Sequence, residues 1–130
     1  MGLSFQHLIA VASGGAFGAV ARYFMMIGVG HWFDYGFPVG TIAINILGSF
    51  VLAGFIEAST LAWSPSSEMR AFIVIGVLGS FTTFSTFSLD VYALWTRGDT
   101  FAAAGYVMGS VVFAVLAFFA GIVVFRALLS

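Results

Sequence analysis

Six hydroxyl side chains fall within nine consecutive positions of this chain, at Ser80, Thr82, Thr83, Ser85, Thr86 and Ser88, and phenylalanines fill the other three, at 81, 84 and 87. Hydroxyls donate and accept hydrogen bonds without carrying charge, and an aromatic ring has a negative face but a positive edge. Such a set suits reversible contact with an ion better than covalent chemistry. Glycines at 76 and 79 stand just ahead of it, and the surrounding run from Ala71 to Leu89 contains no charged residue. Glycine is costly to hold helical and leaves backbone exposed. Non-helical backbone at membrane depth survives only where it is buried in protein or lines a cavity. The pattern predicts a transmembrane helix broken at its centre, with carbonyls and hydroxyls turned toward something polar, which in a membrane is usually an ion.

The elements that must position this stretch follow from composition. Of 130 residues, 62% are apolar and 7% charged, with no cysteine, and the mean hydropathy is +1.13. Soluble domains carry roughly 25% charged residues, so the chain is expected to be an all-α integral membrane protein. Between the nine charged residues lie four long runs, Leu8 to Gly30 (interrupted by Arg22), Val39 to Ile56, Ala71 to Leu89 and Phe101 to Phe125. Each approaches or exceeds the roughly 18 residues that suggest a span. The expected organisation is one four-helix domain over 1–130, with spans near 4–30, 38–62, 69–96 and 101–128. The first run lacks a basic leader and is too long and glycine-rich for a signal peptide, so it is expected to stay in the mature protein.

The same composition narrows the classes of function. Without cysteine there is no disulfide, iron–sulfur centre or thiol nucleophile, and His7 and His31 have no partner at metal-ligand spacing. No acid–base or nucleophile–base constellation points to an enzyme, and a net charge of -1 gives no reason to expect nucleic acid. Arginine bias sets membrane orientation. With the N-terminus inside, Arg70 and Arg126 fall inside, against Arg97 and Arg22 toward the outside. An unbiased chain should insert both ways, and four helices are too few to enclose a wide pore. The expectation is therefore an antiparallel, dual-topology homodimer in the lipid bilayer.

Other residues have both a structural and a functional reading. Gly14 and Gly18 form a GxxxG face for close helix packing, which Ala21 and Arg22 continue, and Gly105 and Gly109 repeat the spacing later in the chain. Arg22 either snorkels to the interface or stands as a cation at the mouth of an anion pathway. Asn45, the sole carboxamide within the four long runs, either bonds a neighbouring helix or offers its NH2 group as a neutral donor to an anion. The phenylalanines at 84 and 87 share a helical face, as core packing or as ring edges lining an anion path. Each hydroxyl singly has the option of bonding a carbonyl one turn back. Tyr106 and Ser110, four apart, either bond each other or extend a polar track. Asp90 reads as an end-of-helix charge or a gate, and Glu57 as the end of the second span. The stretch His31 to Pro38 reads as interfacial anchoring, and Pro65 with its flanking serines as a turn and helix cap.

Three motifs, Gly14-Gly15-x-x-Gly18-Ala19-x-x-Arg22, Gly40-Thr41-x-x-x-Asn45-x-x-Gly48 and Gly79-Ser80-Phe81-Thr82-Thr83-Phe84-Ser85-Thr86-Phe87-Ser88, resemble those of the Fluc (CrcB) fluoride channels. The similarity covers all four spans in order. It implies a dual-topology homodimer in the cell inner membrane with two fluoride pores. It implies that Asn45 points into the pore, that Phe84 and Phe87 meet fluoride with their edges, that Tyr106 and Ser110 lie on or beside a polar track, and that Arg22 lies in a vestibule. Thr83 and Ser85 belong to the same pore-lining string. The resemblance also implies a structural sodium ion on the dimer axis, held by the backbone carbonyls of Gly79 and Thr82 from both copies. Ser80 stands where such channels often have a second glycine, and Ala114 and Phe118 stand where some have polar residues, which shortens the expected track. The rival reading is a small multidrug-resistance exchanger, also a four-helix dimer. That chemistry needs a carboxylate in the first helix, where this chain has Arg22. A non-transporting scaffold would explain the GxxxG faces but not the hydroxyl cluster.

Overall fold

The computed structural model describes residues 3–32 and 36–130, with side chains described from Leu3 to Gly30 and from Gly36 onward. The anchoring expected of His31 to Tyr35 therefore lies outside the described side chains. All regular structure among the described residues is helical. Four segments are long and apolar enough to cross a membrane: Phe5–Gly30, Val39–Leu61, Ser67–Thr96 and Thr100–Leu129. The shortest of them has 23 residues. At about 1.5 Å per residue it reaches ~35 Å, which exceeds the ~30 Å hydrocarbon core. The protein is a multi-pass membrane protein.

We number the helices α1 (Phe5–Trp32), α2 (Val39–Leu61), α3 (67–81), α4 (Ser85–Thr96) and α5 (Thr100–Leu129). Helices α3 and α4 together make the third span. Within α3 the backbone is α-helical over Ser67–Arg70, widens to a π-helix over Ala71–Leu78, and tightens again over Gly79–Phe81. The widening is visible where the Gly79 N–H reaches back to the Val74 carbonyl, five residues earlier. Ser66 caps the start of α3, its hydroxyl accepting from Met69 N–H at 3.1 Å.

Two helix pairs carry most of the packing, α1 on α3 and α2 on α5, with α4 resting on α5. Glycine decides the first pair. A Cβ on Gly14 would strike the Phe72 carbonyl, one on Gly18 the Val77 carbonyl, and one on Gly76 would lie 2.8 Å from Gly14 Cα. The GxxxG face of α1 therefore meets bare backbone of α3. The close packing expected of Gly105 and Gly109 does not occur within the chain. A Cβ on Gly105 would meet nothing within 4 Å, and one on Gly109 would meet only Phe113 of its own helix. The contact falls lower on α5, at Gly121, where an added Cβ would sit 2.7 Å from Ala53 Cβ. The α2–α5 pair is also tied at that end by Arg126, whose Nη2 and Nε donate to the Glu57 carboxylate at 2.8 and 3.2 Å.

Candidate functional site

Between α3 and α4 three residues leave the helix, and Thr82 is extended, at φ −77° and ψ 158°. Helix ends strand carbonyls on one side and N–H groups on the other, and buried strands of such backbone must find partners. Asn45 of α2 supplies two of them. Its Nδ2 donates to the Thr83 carbonyl at 3.1 Å, and its Oδ1 accepts from the Thr83 N–H at 2.9 Å. One carboxamide thus replaces both helical bonds that Thr83 lacks. The second Nδ2 hydrogen remains for another acceptor.

The hydroxyls divide between structure and opportunity. Thr82 Oγ1 donates to the Leu78 carbonyl at 2.8 Å, and Ser88 Oγ to the Phe84 carbonyl at 3.0 Å, so these two take the local option. Thr83 Oγ1 accepts from Thr86 N–H at 3.1 Å, capping the first turn of α4, and lies 3.5 Å from Ser85 Oγ. The carbonyls of Gly79 and Thr82 accept no hydrogen bond among the described residues.

These groups border a half-open cleft of about 380 Å³ between α2, the α3–α4 junction and α5. Asn45, Thr82, Thr83, Phe84, Phe87 and Ser110 line it, Gly79 and Ala114 contribute to its wall, and none of its lining residues is charged. The rings of Phe84 and Phe87 lie 5.3 Å apart at 42°, Phe84 at 77% exposure and Phe87 at 9%. Ser110 Oγ is the one buried side-chain polar atom without a hydrogen-bond partner among the described residues. An unpaired buried hydroxyl costs free energy unless a ligand or water takes the bond.

Three of the sequence candidates, Ser85, Tyr106 and Arg22, stand outside the cleft lining. The Tyr106 ring packs 5.2 Å from Phe87, but its hydroxyl donates to Asp90 Oδ2 at 2.8 Å rather than to Ser110. Arg22, roughly three turns inside the end of α1, donates through Nε to the Ser80 carbonyl at 3.0 Å. Asp90 is not an end-of-helix charge. It lies within α4 and accepts a second bond, at 2.7 Å, from Thr41, which like Tyr106 is fully buried. The sequence signal for this pairing was Thr41, one helical turn ahead of Asn45 on the same face of α2. Glu57 was likewise read only as the end of α2, yet its carboxylate is buried against Arg126.

The family profile described as CrcB-like protein, Camphor Resistance (CrcB), matches residues 9–122. The chain belongs to the CrcB family. Its relatives include a protein of Rhodospirillum centenum, 46% identical over 92% of this chain and 94% of the relative. Another, from Nitrobacter winogradskyi, is 45% identical over 95% of this chain and 98% of its own length. A Chelativorans protein is 44% identical over 95% and 98%. Each of the three is named a fluoride-specific ion channel, FluC. CrcB membership accounts for the three motifs read from the sequence, each of which lies within the matched span.

Proposed function

We propose that this CrcB-family protein is a fluoride-selective channel of the inner membrane that lets cytoplasmic fluoride leave passively and so lowers its toxicity. The observation that carries the reading is the uncharged cleft at the helix junction, where the Asn45 amide, the Ser110 hydroxyl and the Phe84 and Phe87 rings converge. Fluoride is small and strongly hydrated, so a pore must replace its water without trapping it. Neutral donors and ring edges meet that requirement, whereas a lysine ring would bind too tightly. The hydroxyls of Thr83 and Ser85 extend the donor set along the start of α4. Tyr106, committed to Asp90, packs against Phe87 from outside the lining. With the cytoplasm negative, export of one anion gains about 2.3 kcal/mol per 100 mV, enough for roughly a fortyfold gradient. No catalytic step is required.

The cleft is open on one side, and the exposed Phe84 ring stands at its edge. In our reading an antiparallel second copy closes it, giving two pores per homodimer. The same junction would hold a structural sodium ion. Carbonyl oxygens suit a hard cation, and the Gly79 and Thr82 carbonyls, which accept from no described residue, would provide four from two copies. When bound, the ion would neutralise carbonyl dipoles at the subunit junction and is not itself transported. An exchanger of the small multidrug-resistance type is disfavoured because Arg22 is the sole charged residue of α1.

The test is efflux from liposomes containing the purified protein, read with a fluoride electrode beside vesicles loaded with chloride. Fast fluoride release with negligible chloride release is expected. Retention of both ions by a folded protein would overturn the channel assignment.

A further inference from the structure

Among the described residues, Arg22 is the charged side chain that hydrogen-bonds the α3–α4 junction, and it arrives from α1, no residue of which lines the cleft. Its Nε–H meets the Ser80 carbonyl at 3.0 Å, in the last turn of α3, where carbonyls have no helical partner. The neighbouring carbonyls are treated differently. Leu78 O accepts from both the amide and the hydroxyl of Thr82, and Gly79 O accepts from no described residue. The approach of Arg22 is prepared along α1. Gly14 and Gly18 bring α1 onto the α3 backbone, and an added Cβ on Gly15 would come within 3.3 Å of Ser80 Oγ. Arg22 lies one turn beyond Gly18 on the same face, where the surface of α3 ends.

We infer that Arg22 is a positioning residue, a latch from α1 that holds the C-terminal end of α3 through the Ser80 carbonyl and thereby sets the junction that Asn45 holds from the other side. The element that acts is the directional Nε–H donor. A cation at that helix end is favourable as well, because the helix dipole is negative there, but the charge is secondary. The inference rests on the channel reading only for its transport consequence.

Two substitutions separate the donor from the charge. Glutamine places an amide nitrogen at the same number of bonds from the backbone as arginine Nε, so Arg22→Gln keeps a donor and loses the charge. Arg22→Met has similar length and neither. The parent and both variants are compared by fluoride efflux at saturating fluoride, and by amide hydrogen exchange over residues 79–86 in the same purified proteins. The latch predicts that R22Q stays within about threefold of the parent in maximal flux and keeps junction protection. R22M is expected to lose tenfold or more of the flux, with exchange at the junction faster by a similar factor. If Arg22 acted instead by concentrating anions, R22Q and R22M would fail alike, their deficit would shrink at high fluoride, and exchange would match the parent; that outcome overturns the latch. Because hydrogen exchange reads the junction without transport, a parent protein that moves no fluoride would defeat the channel reading while leaving the latch to be decided by exchange alone.

Discussion

Thr41 and Asn45 stand one turn apart on the same face of α2, and each reaches across to the third span, yet the two contacts differ in kind. Thr41 and Tyr106 both donate to the Asp90 carboxylate, in a network whose two donors are fully buried. Asn45 instead pairs with the backbone of Thr83, beside a cleft in which Ser110 Oγ has no partner among the described residues. The first contact is charged and directs its buried hydroxyls inward. The second is neutral and leaves donors over. A closed network contributes rigidity, because buried polar groups that are fully satisfied specify one arrangement. An open one retains capacity for something that comes and goes.

The difference can be broken most forcefully at Asn45. Asn45→Ala strands the N–H and C=O of Thr83 together, and two partly buried unsatisfied groups cost of order 2–5 kcal/mol. Thermal unfolding in detergent should show a loss of that size together with loss of fluoride efflux. A loss below about 1 kcal/mol would mean that water replaces the amide, and that the junction is not held from α2. Tyr106→Phe is expected to cost less, about 2 kcal/mol, since one bond to a carboxylate is removed while Thr41 keeps another. It should leave fluoride-over-chloride selectivity unchanged. A large selectivity change would place Tyr106 in the ion path.

The smallest stability effects are expected within the cleft. Ser110→Ala removes a buried hydroxyl that has no partner, so stability should change by less than about 0.5 kcal/mol or improve. Fluoride efflux should nonetheless fall severalfold if the hydroxyl serves the ion. Phe84→Leu alters a ring that is 77% exposed in the chain, and should likewise change monomer stability by less than about 0.5 kcal/mol while lowering efflux at least tenfold. Efflux equal to the parent in both variants would erase the functional distinction between the two networks.

Much of this molecule was legible without coordinates. The four long apolar runs had to be helices, because a membrane leaves backbone groups no other partner within a short segment. The Gly14–Gly18 face met a backbone as its spacing foretold. Gly105 and Gly109 carried the same spacing and met none, because a small-residue face states only that approach is permitted, and another helix must arrive. Asp90 and Glu57 were misjudged for a related reason: a charge beside an apolar run looks the same whether it ends a helix or turns inward to a partner. Tyr106 and Ser110 stood four apart, yet the tyrosine hydroxyl went to Asp90, a stronger, charged acceptor.

The sequence by itself determined the membrane class, the number of spans, the CrcB motifs and the clustering of hydroxyls with phenylalanines in the third span, since each is a property of local order along the chain. Tertiary structure alone decided which polar groups meet. Asn45 with Thr83, Thr41 with Asp90, Arg22 with Ser80 and Glu57 with Arg126 are separated by 38, 49, 58 and 69 residues. Helical periodicity relates residues three or four apart. It carries no information about which face of one helix lies against which face of another, and that choice was made by glycine backbones in close contact and by buried donors finding acceptors.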